Sequence, residues 1–546
     1  MRFTLMLMDV TVVRMLFRSS LALIVLIALP LPSHAANCSV AQPHPLTSPQ
    51  IAMMGGQFAE AESLYRADLA KNPNNEESTA GLVRALLAQQ KVDDAAATVE
   101  AALTKDPQSP VLLTALAVVQ HREGLPWEEA KTLDAALTTG ICYAPLHLAR
   151  ANYFRFNSFY ATSLRQIQMA HQLDPYDPQI WREWMHVLPP AQRIEELKKF
   201  LATNSGDINE VRGAKVELAM LENESGNGAR CQLLSQTTAT DIPFTPIMVN
   251  AEFVRAWGLE VAFNGKKSHL VIDTGASGLY INSALANKAG LKPLTRTQVG
   301  GIGDNGAQSG YLALADSIRI GGLEFRNCMV QVSDRRNVVG DDGLIGMDVF
   351  SQFAVTLDFP WRKLTLGPLP PYPGMVVAPM ELNTAAHGQG SSTNSGPHDR
   401  YVAPEMSDWM KVYRSGHDLI VPGTINRKNL GLFVIDTGAQ MSSLTPKAAS
   451  AVTKVHGDDT MIVHGIGGTV KKVYYANDVE IRFGNLERKN DRLAVFDLAG
   501  VSEGAGAEIS GMLGEDTLGL LVVHIDYRDG LMKFEYSPNR GYQRIR

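Results

Sequence analysis

Leu270-Val271-Ile272-Asp273-Thr274-Gly275-Ala276 and Leu432-Phe433-Val434-Ile435-Asp436-Thr437-Gly438-Ala439 stand at matching places in two similar stretches of the chain. In each, a run of apolar residues ends on an Asp, as a buried strand does before a turn. A lone Asp-Thr-Gly arises by chance about once per ten chains of this length, but here the flanking features repeat as well. Phe263-Asn264-Gly265 and Ile425-Asn426 offer hairpin turns ahead of the two apolar runs. Nine residues after each Asp comes a helix-capping type, Asn282 in one stretch and Thr445, followed by Pro446, in the other. About thirty residues after each Asp comes a glycine hairpin: Gly301-Ile302-Gly303, then Gly465-Ile466-Gly467. Apolar pairs then precede a glycine, in Leu344-Ile345-Gly346 and Met512-Leu513-Gly514, and Asp358 and Asp526 lie twelve residues beyond those glycines. Six features in one order imply an internal duplication, with one all-β lobe over 244–368 and a second over 412–538. Residues 369–411, with the run Pro370 to Pro373 and the polar run Gly388 to Gly396, read as a linker.

On these residues the second part of the chain resembles the aspartic peptidases. It is most similar to the retropepsins, whose lobe is a single such unit; here two retropepsin-like acid-protease lobes stand in tandem. The resemblance implies that Asp273 and Asp436 form one catalytic dyad. It implies that Thr274 and Thr437 lock the two loops together across the lobe interface, and that Gly275 and Gly438 let backbone approach the carboxylates. The segments Leu344–Gly346 and Met512–Gly514 would pack behind those loops. Val299–Gly306 and Val463–Gly468 would be flaps, with Gly301, Ile302, Gly303, Gly465, Ile466 and Gly467 touching substrate.

The chemistry suits the residue types. Two carboxyls about 3 Å apart cannot both ionise, so they share a proton, and the pair can activate a water without metal or cofactor. Titration belongs to the pair, so neither Asp is assigned as the acid. The chain departs from the family at Ser277-Gly278 and Gln440-Met441, where retropepsins often carry an acidic residue.

The first part of the chain reads differently. Asn72-Pro73, Asp106-Pro107 and Asp174-Pro175 are spaced by 34 and then 68 residues. Ala61, Ala95 and Ser163 precede those prolines by twelve, and Ala102 and Ala170 precede Pro107 and Pro175 by five. A 34-residue helical unit with small residues at its packing points resembles the tetratricopeptide repeat, degenerate where Ile141 replaces the proline. An all-α repeat region over 47–240 is therefore expected, and its resemblance implies protein binding.

The formal charge of −6 gives no electrostatic reason for a nucleic-acid partner. Gly301 to Gly306 matches a dinucleotide fingerprint, but the alternation of Tyr311 to Ile320 predicts a strand where that fingerprint needs a helix. Arg14 and Arg18 precede the apolar run Leu21–Leu31, with Ser33 and Ala35 at a cleavage spacing, so residues 1–35 read as a signal peptide. That run is short of the roughly 20 residues a membrane span needs. A retained signal anchor is the alternative. The expected location is exported, periplasmic or extracellular. Cys38, Cys142, Cys231 and Cys328 show no metal-ligand spacing and read as scattered cysteines, free or structural, although two bridges are allowed. The leading function is an aspartic endopeptidase acting on polypeptide. The competing one is a non-catalytic peptide- or protein-binding scaffold built on the same lobes.

Overall fold

A computed structural model of the chain describes residues 38–536, apart from 44, 204–205, 229, 249–251, 253, 336–341, 374–396 and 459. The signal-peptide reading of 1–35 and most of the linker reading lie outside the described residues.

Helices run from Ser48–Met54 to Ile208–Asn227. Those beginning at Glu76, Pro110, Ala144 and Pro178 follow one another at intervals of 34 residues, the period read from the prolines. The cause is packing: each helix pair lays small residues against its neighbour, and Ala61, Ala95, Ala136 and Ala170 are fully buried. At the place in this series where Ala61 and Ala95 have their counterpart in the third unit, a buried Glu129 sits instead, paired to His121 at 2.8 Å. Trp181 packs into a helical core cluster and Trp184 stacks on His171 at 3.9 Å, so both serve packing. No described helix is long and apolar enough to cross a membrane.

Beyond Gln232 the chain is almost all β. The first lobe is one nine-stranded sheet and the second an eight-stranded one. Their local frames match. Leu344-Ile345-Gly346 runs parallel to Val271-Ile272-Asp273, as Gly511-Met512-Leu513 runs parallel to Phe433-Val434-Ile435. The Asn282 side chain accepts from the Leu285 amide and that of Thr445 from the Ala448 amide, so both expected caps start short helices. Asn264 and Gly265 take positive φ, as their hairpin turn requires. Asp358 and Asp526 each cap a turn, accepting from the amides of Trp361 and Asp529.

A third sheet joins the lobes. Strands Phe353–Asp358 and Lys363–Pro368 of the first lobe extend antiparallel into Leu521–Asp526 and Leu531–Tyr536 of the second. One hydrophobic core therefore runs through both, with Phe263, Phe353, Phe433, Phe483 and Tyr527 fully buried.

The helical region is fixed to this body. The Arg122 guanidinium donates to Ser502 O at 2.7 Å, and Glu508 N donates to Arg122 O at 2.9 Å. Phe156 stacks on Tyr413 at 4.9 Å. Further along, Arg212 reaches Gln298 on the first lobe at 2.6 Å. Residues 397–411, read as linker, are held too: Asp399 accepts from Thr162 N and Oγ1, while Met410 and Lys411 pair with strand Leu531–Tyr536. Short polar stretches look free in sequence because their partners here lie far along the chain.

The cysteines are not scattered: Cys231 and Cys328 form a disulfide, and no described cysteine is free. The bond closes a span of 97 residues, tying the exit of the helical region to the first lobe. Replacing both by Ala is expected to lower unfolding stability by about 2–4 kcal/mol, read by denaturant melts.

Candidate active site

Asp273 ends strand Lys266–Asp273, and Asp436 follows strand Asn429–Ile435. The parallel strands behind each loop fix where the carboxyls point. Each carboxyl lies against the glycine of the opposite loop, close enough for the charge of Asp436 to raise Asp273. Asp273 is 8% exposed, whereas Asp436 opens somewhat more to its surroundings.

The loops hold each other crosswise. Thr274 N donates to Thr437 Oγ1 at 3.1 Å and Thr437 N to Thr274 Oγ1 at 3.0 Å. Each hydroxyl then donates onward, Thr274 to Ile435 O at 2.7 Å and Thr437 to Ile272 O at 3.0 Å. All four atoms are buried in the lobe interface, so none has water as an alternative partner. Thr274→Ala strands the buried Thr437 amide, at about 1–3 kcal/mol. A lowered melting temperature is expected, with Thr274→Ser close to wild type because the hydroxyl is kept.

Gly275 and Gly438 lie against the opposite carboxyls. A Cβ on Gly275 would stand 2.9 Å from Asp436 Cγ, and one on Gly438 would stand 2.5 Å from Asp273 Cγ. Each glycine also donates its amide to the Asp of its own loop at 2.9 Å. Burial raises the Asp273 carboxyl well above the usual carboxylate range, and the neighbouring Asp436 charge adds to this. Burial raises Asp436 as well, opposed by amide hydrogen bonds from Ala439 and Gly438. A pair so placed keeps one proton between two carboxyls.

The flap segments meet. Gly467 N donates to Ile302 O and Asn305 N to Gly467 O, both at 2.8 Å. There is no room for side chains at the junction: a Cβ on Gly301 would press on Ile466, one on Gly303 on Gly467, and one on Gly465 on Ile302 O. Ile466 packs with Val271, Tyr280, Leu344 and Ala276 of the first lobe, and Ile302 packs with the cluster holding Val434, Met512 and Ala439 of the second. The flaps are unequal. The first belongs to the long strands Lys292–Val299 and Gln308–Ile320, the second to the short pair Val463–Gly465 and Gly468–Val470. The strand after Gly306 rules out the helix a dinucleotide site needs. His464 is an exposed flap residue bonded to Thr469.

Some residues of the site escaped the sequence reading. Asp348 accepts from Ser277 Oγ at 3.0 Å and Gly278 N at 2.8 Å, and Asp516 accepts from Ser442 N at 2.8 Å and Oγ at 2.7 Å. Each lobe thus ties the segment after its Asp-Thr-Gly-Ala to a carboxylate from its other end. Their signal was present: Gly346-Met347-Asp348 and Gly514-Glu515-Asp516 share a Gly-x-Asp spacing. His417 and Asp418, also beside the carboxyl pair, carry no repeat that would have shown them.

One family model, for an aspartyl protease, matches residues 259–349 and 421–517, and a tetratricopeptide-repeat model matches 52–119. Among solved structures, the aspartic proteinase from Irpex lacteus is similar at 11% identity and a TM-score of 0.34, over 56% of this chain and 99% of that one. A thermophilic TPR protein from Thermus thermophilus is similar at 18% identity and a TM-score of 0.24, over 31% of this chain and 91% of that one. No curated protein matches. With its matched segments meeting at the Asp273–Asp436 pair, the chain carries a retropepsin-like aspartyl protease domain behind a tetratricopeptide-repeat region.

Proposed function

We propose that the protein is an aspartic endopeptidase with one active site, half from each lobe. The observation that carries this is the facing pair Asp273 and Asp436, each against the other loop's glycine and held by reciprocal threonine bonds. A water between the carboxyls would lose a proton to the ionised one as it attacks the peptide carbonyl. The protonated one would donate to the carbonyl oxygen, and the proton taken up would later pass to the leaving amine. No metal is needed, because the pair supplies both base and acid.

The flaps would have to part to admit a chain, since Gly467 and Ile302 are bonded to each other. Reclosing over an extended substrate would exclude water and offer backbone partners. The helical repeats would hold a protein partner or the substrate itself. The Cys231–Cys328 bond supports an exported, oxidising location.

The test is incubation of the full chain with a denatured, unstructured protein from pH 3 to 8, with the new termini sequenced. Internal cleavage, blocked by a pepstatin-type transition-state mimic, is expected. Binding of peptide without cleavage at any pH would sink the proposal and leave the scaffold reading.

A further inference from the structure

We propose, on the peptidase reading above, that the cleft opens on one side: the helical region holds the first flap still, with Arg212 as a positioning residue, and the second flap is the gate. The holding piece is the helix Ile208–Asn227. One face of it belongs to the helical region. Ala214 and Leu221 are buried there with Met185, Leu197 and Phe200, while Glu217 and Glu222 pair with Arg193 and Lys198 at 3.3 and 3.2 Å. Its start is fixed as well, because Asp207 lies against Gly56 in the turn after the first helix.

The same helix is tied to the first lobe. It runs beside strand Lys292–Val299, where Arg212 Nη1 donates to Gln298 Oε1 at 2.6 Å. Past its far end the Asn327 side chain donates to Gly228 O at 3.0 Å, and Cys231 is bonded to Cys328. Lifting the flap strand would break the Arg212 bond or drag a helix packed into another body. The strand has roots of its own too. Arg296 grips Asp334 through two hydrogen bonds, at 2.6 and 3.0 Å. Pairing with strand Gln308–Ile320 continues up to Val299 and Gln308.

The second flap has no such hold. Its strands Val463–Gly465 and Gly468–Val470 pair with each other as a sheet of two, and an isolated two-stranded hairpin is marginal in water. Among the described residues, the hydrogen bonds that leave Val463–Val470 reach Ile302, Asp304 and Asn305, all on the first flap. Lys471 N adds a bond to Asp304 Oδ2 at 2.9 Å. A pivot lies below: Asp458 accepts from the amides of Thr460 and Met461 at 2.9 and 3.1 Å and pairs with Arg492, and Val470 and Val473 are buried in the second lobe. Breaking the bonds to the first flap therefore frees the second and leaves the first in place. Ile466 then withdraws from its seat among Val271, Tyr280 and Leu344, uncovering the wall beside Asp273.

Hydrogen exchange on the full chain tests this without a substrate. Amides of Val463–Val470 should exchange at least about tenfold faster than those of Lys292–Val299. Arg212→Ala should quicken Lys292–Val299 by about threefold to tenfold, as loss of one hydrogen bond does, with Val463–Val470 unmoved and the melting temperature near wild type. Equal exchange in the two wild-type flaps, or a variant that quickens neither or both alike, would overturn the proposal. Two thiol pairs, each assayed before and after joining by a short bismaleimide, carry it to cleavage. Joining Arg212→Cys to Gln298→Cys should leave kcat and KM within about twofold, whereas joining Asp304→Cys to Lys471→Cys should stop cleavage. Cleavage lost in the first pair or kept in the second overturns the one-sided gate and leaves the peptidase reading intact. If the wild type cuts nothing, the peptidase reading falls and the exchange rates alone decide which flap is held.

Discussion

Asp436→Asn yields a protein that folds, melts higher than the wild type at pH 7, and has lost cleavage by at least about a thousandfold. The loss follows from chemistry: an amide can neither take a proton from water nor share one with Asp273. The gain in stability has a sign that can be worked out. Both carboxyls are raised in the folded state, by burial first. The native chain therefore binds protons more tightly than the unfolded one, and stability falls as pH rises from the usual carboxylate value towards the raised ones. At pH 7 the wild type bears that cost and the Asn variant largely escapes it. Asp273→Asn should behave alike, and the excess stability should shrink towards pH 3, where the wild-type pair is protonated. Melts at pH 3 and 7 beside a cleavage assay check both halves. Lost activity with lowered stability at pH 7 would mean a structural ion site instead.

Gly438→Ala should be the most damaging change that leaves every catalytic group in place. Its Cβ would lie 2.5 Å from both Cγ and Oδ2 of Asp273, inside any permitted contact. The carboxyl cannot swing clear easily, because Gly275 N fixes its Oδ1 at 2.9 Å and protein encloses it. The loops must separate, stretching the threonine bonds. Displacement of about 1 Å at a reacting group costs on the order of 100-fold in rate, so kcat should fall by at least that much while KM moves little. Gly275→Ala, with 2.9 Å to Asp436 Cγ, should be milder. Wild-type kcat in the Gly438→Ala protein would show that the carboxyls need not approach as closely as they do.

The parts legible in the sequence were those written twice. The apolar runs, the Asp-Thr-Gly-Ala loops, the helix caps at Asn282 and Thr445 and the supporting Leu344–Gly346 and Met512–Gly514 could be read because each copy vouched for the other. The 34-residue spacing of the helices was written several times and survived the loss of a proline at Ile141. What stayed hidden was written once or pairs at long range. His417 is one histidine in a turn. The Cys231–Cys328 bond, the seating of Asp399 on Thr162 and the joining sheet depend on partners scores to hundreds of positions away, which no local pattern records. Asp348 and Asp516 fall between: their repeat was on the page, but a carboxylate two residues past a glycine says little until its serine partners are placed.

The unequal flaps have a consequence of their own. Two identical subunits would present the same wall to a chain entering from either end, so its polarity would not matter. Here one wall of the cleft is a long hairpin that continues into its lobe's sheet and the other a short, separate one, Val463–Val470. A peptide laid one way and the same peptide reversed meet different surfaces. On the proposed peptidase reading, joining the halves in one chain would give the cleft a direction and favour a single amino-to-carboxyl orientation.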